Sequence, residues 1–137
     1  MCLLGTRGFL TCLGVRRTIG TQDTVLPPDI DELSEMFNRL NKPLTEEELR
    51  CNPNPSLLTV GGRAIQKHAS RNPGLWLDKQ TMNGMTEKEK NEKASEVIGR
   101  IIHSCQWINI HTLHQGTPLV FILEIRDKLG FGARWEI

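Results

Sequence analysis

The sequence of 137 residues has no hydrophobic run approaching the ~20 residues that a membrane-spanning helix needs. It also lacks an excess of either charge, because 17 basic and 16 acidic side chains give a formal net charge of +1. A global basic field that would draw the molecule to nucleic acid or to an anionic membrane is therefore excluded. Any RNA binding would be local, and no feature indicates DNA binding.

Signatures of cofactor-dependent and hydrolytic enzymes are absent as well. The sequence contains no G-x-S-x-G elbow, Walker loop, dinucleotide fingerprint or H-E-x-x-H motif, so we predict no cofactor and no catalytic residue. Its cysteines form no C-x-x-C pair, which argues against a disulfide framework and a four-cysteine zinc site. They are Cys2, Cys12, Cys51 and Cys105.

The N-terminal leader, residues 1–26, differs in composition from the remainder. It carries Arg7, Arg16 and Arg17 but no acidic residue before Asp23. A basic, acid-poor leader is typical of a mitochondrial transit peptide, although a floppy tail and a secretory signal remain alternatives. We therefore predict a mitochondrial protein, with a cytoplasmic or nuclear location as the alternative.

Helical signals dominate from residue 27 to about residue 105. A first helix begins after Asp29, a short one follows Thr45, and a third restarts at about Gly62 because a Gly61-Gly62 pair disfavours helix. Residues 71–84 resemble a loop. A long amphipathic helix then follows Thr86, with apolar residues at helical spacing from Ala94 to Cys105.

After this helix, the spacing of apolar residues changes from the helical period of 3.6 residues to the strand period of 2. Residues 106–116 alternate, residues 118–127 are almost continuously apolar as in a central strand, and residues 131–137 alternate again after a turn at Gly130. We predict an α+β domain over residues 27–137, in which a helical half and a long helix precede a three-stranded antiparallel meander.

The last strand, GFGARWEI, would leave one sheet edge unpaired. We expect either that the chain is a shortened form of a longer protein or that a partner's strand completes this edge. A protein partner at the C-terminal strand is therefore predicted.

The histidines offer a weak metal-site alternative. His103, Cys105, His111 and His114 lie within twelve residues, and the H-x-x-H spacing suits zinc. However, the two later histidines would point to opposite faces of a strand, and no carboxylate lies among them. We favour ordinary surface or helix-end histidines.

A basic helix face is the most suggestive candidate for binding. Arg63, Lys67 and Arg71 recur every four residues, flanked by His68 and followed by Trp76. Such a stripe could hold phosphate or RNA with the indole as a stacking surface, and Arg134 could extend it. The alternative is a solvated helix face.

We interpret the sequence as that of a small non-enzymatic binding or accessory protein that contacts protein or RNA through this basic helix and the exposed strand edge. A metal-dependent hydrolase built on the His/Cys cluster is the enzymatic alternative. A structural subunit of a larger assembly is the third.

Overall fold

The computed structural model describes residues 21–22, 25–69, 78–113 and 120–137. These residues form helices α1 (Ile30–Asn38), α2 (Glu46–Cys51), α3 (Val60–His68), α4 (Lys79–Gly84) and α5 (Glu87–His103), and strands β1 (Cys105–Leu113), β2 (Val120–Asp127) and β3 (Gly132–Glu136). The strands form an antiparallel sheet in the order β1-β2-β3. The predicted α+β class with its C-terminal meander is confirmed. Among the described residues, no helix is long and apolar enough to cross a membrane.

The chain divides into two compact units. One comprises residues 31–99 and is helical; the other comprises residues 100–137 with the stretch up to residue 30, and it contains the sheet. The predicted boundary between a leader and a domain at residues 26 and 27 stays a prediction.

Close packing in the helical unit depends on the first turn of α3. A Cβ atom added at Gly61 would overlap the ring of Phe37 and press on the Ala94 methyl group. The hydroxyl of Thr59 caps the helix by accepting a hydrogen bond from the Gly62 amide at 3.0 Å. Among the described residues of this unit, the buried apolar side chains are Leu33, Leu58, Ile65, Ala69, Met82, Ala94, Val97 and Ile98.

Two predicted boundaries in this unit are wrong. The third helix begins at Val60 rather than near Gly62, because the absence of a side chain at Gly61 allows the packing that offsets its low helix propensity. The expected loop over residues 71–84 contains α4, whose cap, Asp78, accepts from the amides of Gln80 and Thr81 at 2.9 Å. Residues 70–77 lie outside the described residues.

The charged start of α5 has a structural role that its composition did not predict. Asn91 accepts from the Thr59 amide at 2.9 Å and donates to the Leu57 carbonyl at 2.9 Å. Glu87 accepts from the Leu57 amide at 2.7 Å. These bonds hold the segment that enters α3, so this face of α5 is more than a solvated surface.

The sheet unit begins at the end of α5. That helix ends at His103, and Cys105 starts β1 instead of continuing the apolar helical stripe as predicted. The predicted turn at Gly130 is present, with φ of 84°, a conformation that glycine adopts readily. Asp127 closes it by accepting from the amides of Leu129 and Phe131. Among the described residues of this unit, the buried apolar side chains are Ile101, Ile102, Ile110, Ile122, Leu123, Ile125 and Trp135.

Candidate active site

The strand register brings polar residues together on one face of the sheet. Asn109 on β1, Glu124 on β2 and Arg134 on β3 stand side by side. Side chains two residues apart share a face, so His111, Arg126 and Trp107 belong to this same polar face. The opposite face carries apolar residues such as Leu123 and Trp135, which are almost fully buried.

Glu124 lies at the centre of the polar face. Glu124 is charged, yet it is only 7% exposed and the residues next to it along β2 are apolar. A buried carboxylate is costly unless charged or hydrogen-bonding groups surround it. Three side chains provide these contacts, and we call Glu124 with His111, Arg126 and Arg134 the Glu124 cluster.

The two arginines of the cluster differ in how firmly they are held. Arg126 donates from Nε to Glu124 Oε1 at 2.8 Å, from Nη2 to the same oxygen at 2.5 Å, and from Nη1 to the Gly130 carbonyl at 2.8 Å. Arg134 approaches Oε1 through Nη2 at 3.1 Å, and 58% of its side chain is exposed. Arg126 is therefore preorganised, whereas Arg134 can turn outward to an incoming anion.

Gly132 makes the position of Arg126 possible. A Cβ atom at Gly132 would overlap the Ile125 carbonyl and meet Cδ of Arg126. The arginine side chain thus lies over β3 at a point where the neighbouring strand presents no side chain. This leaves its guanidinium aligned with both Glu124 and the Gly130 carbonyl.

His111 approaches the other oxygen of the carboxylate. Its Nε2 lies 3.6 Å from Glu124 Oε2, and its side chain is 12% exposed. The pair is an ion pair when the imidazole is protonated. One carboxylate thus contacts two guanidinium groups through one oxygen and an imidazole through the other.

The protonation of Glu124 follows from these contacts. Burial raises the pKa of Glu124, but the hydrogen bonds and charges of Arg126 and Arg134 outweigh it and lower the pKa below its ordinary value. The carboxylate is therefore ionised at neutral pH. Two guanidinium groups around one carboxylate also leave an excess of positive charge, which favours a phosphate ligand.

The N-terminal stretch contributes one contact to this face. Thr21 donates its hydroxyl to Oδ1 of Asn109 at 2.9 Å, and the Gln22 amide donates to the Ile110 carbonyl at 2.7 Å. Thr21 also forms an isolated antiparallel bridge with His111. Residues 21–22 therefore lie along the outer edge of β1.

A charged cluster of this kind can perform acid–base chemistry at a phosphate, and comparison with known proteins is consistent with that chemistry. The family model described as the CdiA C-terminal tRNase toxin domain matches residues 51–137, more than half of the chain. The chain belongs to this toxin-domain family. Searches of curated proteins and of solved structures found no match.

Membership of a tRNase toxin family corrects the predicted function. The family points to an enzymatic nuclease toxin, so the interpretation as a non-enzymatic binding or accessory protein is wrong. The alternative of a structural subunit is wrong for the same reason.

The predicted location is also wrong. A CdiA toxin domain belongs to a bacterial secreted toxin, which overturns the predicted mitochondrial transit peptide and the predicted mitochondrial location. Residues 1–20, which carry the arginines that suggested import, lie outside the described residues.

The metal-dependent hydrolase alternative is not supported by the positions of its proposed ligands. His103 ends α5, Cys105 starts β1 and is exposed, and His111 faces Glu124; His114 lies outside the described residues. Within the described part of the chain, no three His, Cys, Asp or Glu side chains form a group that could hold a metal ion. Although Cys105 is exposed as a residue, partial desolvation of its thiol raises the pKa of that thiol, which lowers its thiolate fraction.

The predicted basic stripe is partly described. Arg63 and Lys67 are exposed on α3 and His68 is half-buried, whereas Arg71 and Trp76 lie outside the described residues. The Gly62 amide in the first turn of this helix donates its hydrogen bond to the Thr59 hydroxyl. Arg134 contacts Glu124 in the sheet unit, so its position is explained by the Glu124 cluster.

Sequence reasoning did not single out Glu124 or Arg126, and it considered His111 only as part of a weak metal-site alternative. A signal for the first two is present in the sequence. Glu124 is a charged residue within the apolar run of a central strand, and Arg126 follows two residues later on the same face. A buried charge at such a position requires a partner, and this marks it as a functional candidate.

Proposed function

We propose that this chain is a ribonuclease that cleaves tRNA by transphosphorylation in the Glu124 cluster. The observation that carries the proposal is one buried carboxylate held between two guanidinium groups and an imidazole on the polar face of the sheet. Membership of the tRNase toxin family supports tRNA as the substrate.

The arginines bind the phosphate at which the chain is cut. Arg134, the more exposed of the two, turns from Glu124 to the phosphate oxygens, while Arg126 stays bound to Gly130 and directs its remaining donors at the site. Preorganised donors of this kind stabilise the charge that develops on the phosphoryl oxygens in the transition state.

Glu124 and His111 transfer the protons. The ionised carboxylate removes the proton from a ribose 2′-hydroxyl, whose oxygen attacks phosphorus. The bond from phosphorus to the 5′-oxygen of the next nucleotide breaks, and protonated His111 gives its Nε2 proton to that oxygen. The products are a 2′,3′-cyclic phosphate and a 5′-hydroxyl. Passage of the proton from Glu124 to His111, across 3.6 Å, restores both groups.

Cleavage of unfractionated tRNA by the purified full chain tests the proposal. We expect fragments with 2′,3′-cyclic phosphate ends, identified by mass spectrometry, and cleavage that continues in EDTA because every step uses protein groups. Glu124→Gln and His111→Gln should each lose about 10²- to 10⁴-fold in rate, the usual contribution of an acid–base group.

Glu136→Gln is the matched control. Glu136 is an exposed carboxylate on the same face of β3, separated from His111 by Ile122 on β2, so its loss should leave the rate unchanged. Fragments with 3′-hydroxyl ends, or full activity of Glu124→Gln in a folded protein, would overturn the mechanism.

Two sequence predictions remain proposals beside this function. Arg63 and Lys67 on α3 are exposed and suit contacts with the tRNA backbone. A protein partner at β3 is favoured by the sheet order β1-β2-β3, in which β3 pairs with β2 on one side. A photocrosslinking residue at position 136 should capture such a partner more efficiently than one at the exposed Lys79; equal capture would argue against it.

A further inference from the structure

We infer that Trp107 forms a stacking subsite for the base of the nucleotide that supplies the attacking 2′-hydroxyl. The inference rests on the proposed function and adds the part of the substrate that the Glu124 cluster itself does not bind. It concerns a nucleobase of the RNA, a ligand for which the cluster offers charge but no flat apolar surface.

The position of Trp107 follows from the register of the sheet. Trp107 on β1 pairs with Arg126 on β2, and the continuous pairing through Ile108 and Asn109 places the indole on the polar face. Diagonal neighbours in an antiparallel pair are about 7–8 Å apart, within reach of a large aromatic side chain. Trp107 is therefore a diagonal neighbour of Glu124 on the face where the chemistry takes place.

The exposure of Trp107 sets it apart from the other described tryptophan. Trp135 is 5% exposed and belongs to the apolar face, where burial explains its presence. Trp107 is only half-buried, so part of a large apolar ring remains accessible on the face of the sheet that also carries the two guanidinium groups. Aromatic side chains next to basic residues are the usual elements of single-stranded RNA sites, since every base has a flat face for stacking.

The neighbouring arginine leans away from the indole. Arg126 lies over Gly132 on β3 and bonds to the Gly130 carbonyl, so its side chain extends toward the strand opposite to Trp107. A base can therefore stack over β1 while its phosphate reaches the guanidinium groups over β2 and β3.

The direction of the reaction assigns the base. Trp107 and His111 lie on the same strand, about 13 Å apart at ~3.3 Å per residue, with Glu124 opposite the residue between them. In an in-line displacement the attacking and leaving oxygens lie on opposite sides of phosphorus. Because His111 protonates the leaving 5′-oxygen, the leaving nucleotide lies on the His111 side. The nucleotide that carries the 2′-hydroxyl lies on the Trp107 side.

Single abasic substitutions in tRNA test the assignment. The cut is first mapped on unfractionated tRNA. The cleaved tRNA is then assembled by ligation with an abasic ribose on the 5′ side or on the 3′ side of the cut. Trp107→Leu should lose about 5- to 150-fold in kcat/KM on intact tRNA, the range expected for one stacked base. On the 5′-abasic tRNA, Trp107→Leu and the native chain should have the same kcat/KM, because the stacked base is already missing. On the 3′-abasic tRNA, Trp107→Leu should again fall below the native chain by the full factor.

Two variants separate stacking from a structural role. Trp107→Phe keeps an aromatic face and should recover most of the activity, whereas Gln106→Leu, at the exposed neighbouring position, should behave as the unmodified chain. Far-ultraviolet circular dichroism and a cooperative thermal unfolding transition confirm that each variant is folded. Full activity of Trp107→Leu on intact tRNA would overturn the inference. So would a loss of activity by Trp107→Leu that is equally large on intact and on 5′-abasic tRNA, or one that disappears on the 3′-abasic tRNA.

The proposed function fails in a different way. If Glu124→Gln cleaves at the full rate, the catalytic assignment is wrong and the subsite has no reaction to serve. If Glu124→Gln is inactive while Trp107→Leu is fully active, the Trp107 subsite alone is overturned.

Discussion

Nε2 of His111 on β1 lies 3.6 Å from Oε2 of Glu124 on β2. In the proposed reaction each group changes its protonation state: the carboxylate gains a proton and the imidazole loses one. Their separation is slightly longer than a hydrogen bond, and contacts of this kind often shorten when substrate binds. This pair can therefore return to its starting state without a proton from solvent.

A sulfur substitution in the RNA distinguishes the acid from the base. When sulfur replaces the bridging 5′-oxygen, the leaving group is a thiolate that departs without general-acid assistance. His111→Gln should lose about 10²- to 10⁴-fold on the normal linkage and regain most of it on the sulfur linkage. Glu124→Gln should stay inactive on both. Equal behaviour of the two variants in single-turnover cleavage assays would contradict the assigned roles.

The pH dependence of stability provides a second prediction. The contacts with Arg126 and Arg134 make the folded-state pKa of Glu124 lower than its unfolded value, despite burial. A group of this kind contributes stability above its unfolded pKa and loses it as the pH falls through the folded pKa. Urea unfolding should therefore show a steeper fall in the free energy of unfolding below about pH 4.3 for the native chain than for Glu124→Gln. Parallel pH curves would contradict the direction of the pKa change.

Removal of Arg134 and removal of Arg126 should have different effects on cleavage rate and thermal stability. Arg134→Ala removes an exposed guanidinium, so the rate should fall by about 10²- to 10³-fold while thermal stability changes little. Arg126→Ala should lower both, because Arg126 also bonds to Gly130 and supports the buried Glu124. Lys128→Ala, at an exposed turn position, is the control. Equal melting temperatures for the two arginine variants would argue against the distinction.

The sequence predicted the meander because its pattern is local. Alternating and continuous apolar runs identify strands, and Gly130 identifies the turn between two of them. The Glu124 cluster, however, depends on register between strands, which places His111 and Arg134 beside a residue on β2. A one-residue shift would move each of them to the other face, so the site could not be read from spacing alone.

The helical unit shows a second limit of local patterns. Helix propensity predicted a break at Gly61-Gly62, but the contact with Phe37 makes the missing side chain an advantage. The loop predicted over residues 71–84 contains a capping residue, Asp78, but α4 has only six residues and little apolar periodicity, so the local pattern does not predict this helix.

The exposed basic positions of α3 yield a prediction about substrate binding. Arg63→Glu with Lys67→Glu should weaken tRNA binding and reduce the slope of log affinity against log salt concentration, since fewer counterions are released. Lys42→Glu with Lys79→Glu changes the charge equally at other exposed positions. Both double variants are made in the inactive Glu124→Gln chain, and filter binding of tRNA measures their affinities and salt dependence. Equal loss in the two double variants would attribute the effect to net charge and contradict a specific role for α3.

The first turn of α3 tests the packing of the helical unit. Gly61→Ala adds a methyl group that overlaps the Phe37 ring and approaches Ala94, so it should destabilise the chain by about 1–3 kcal/mol. Gly99→Ala is the matched control within α5, where an added Cβ meets nothing within 4 Å. There alanine should stabilise by about 0.5–1 kcal/mol, because glycine loses more backbone entropy on folding. Urea unfolding measures both, and a stabilising Gly61→Ala would show that helix propensity rather than contact with Phe37 determines this position.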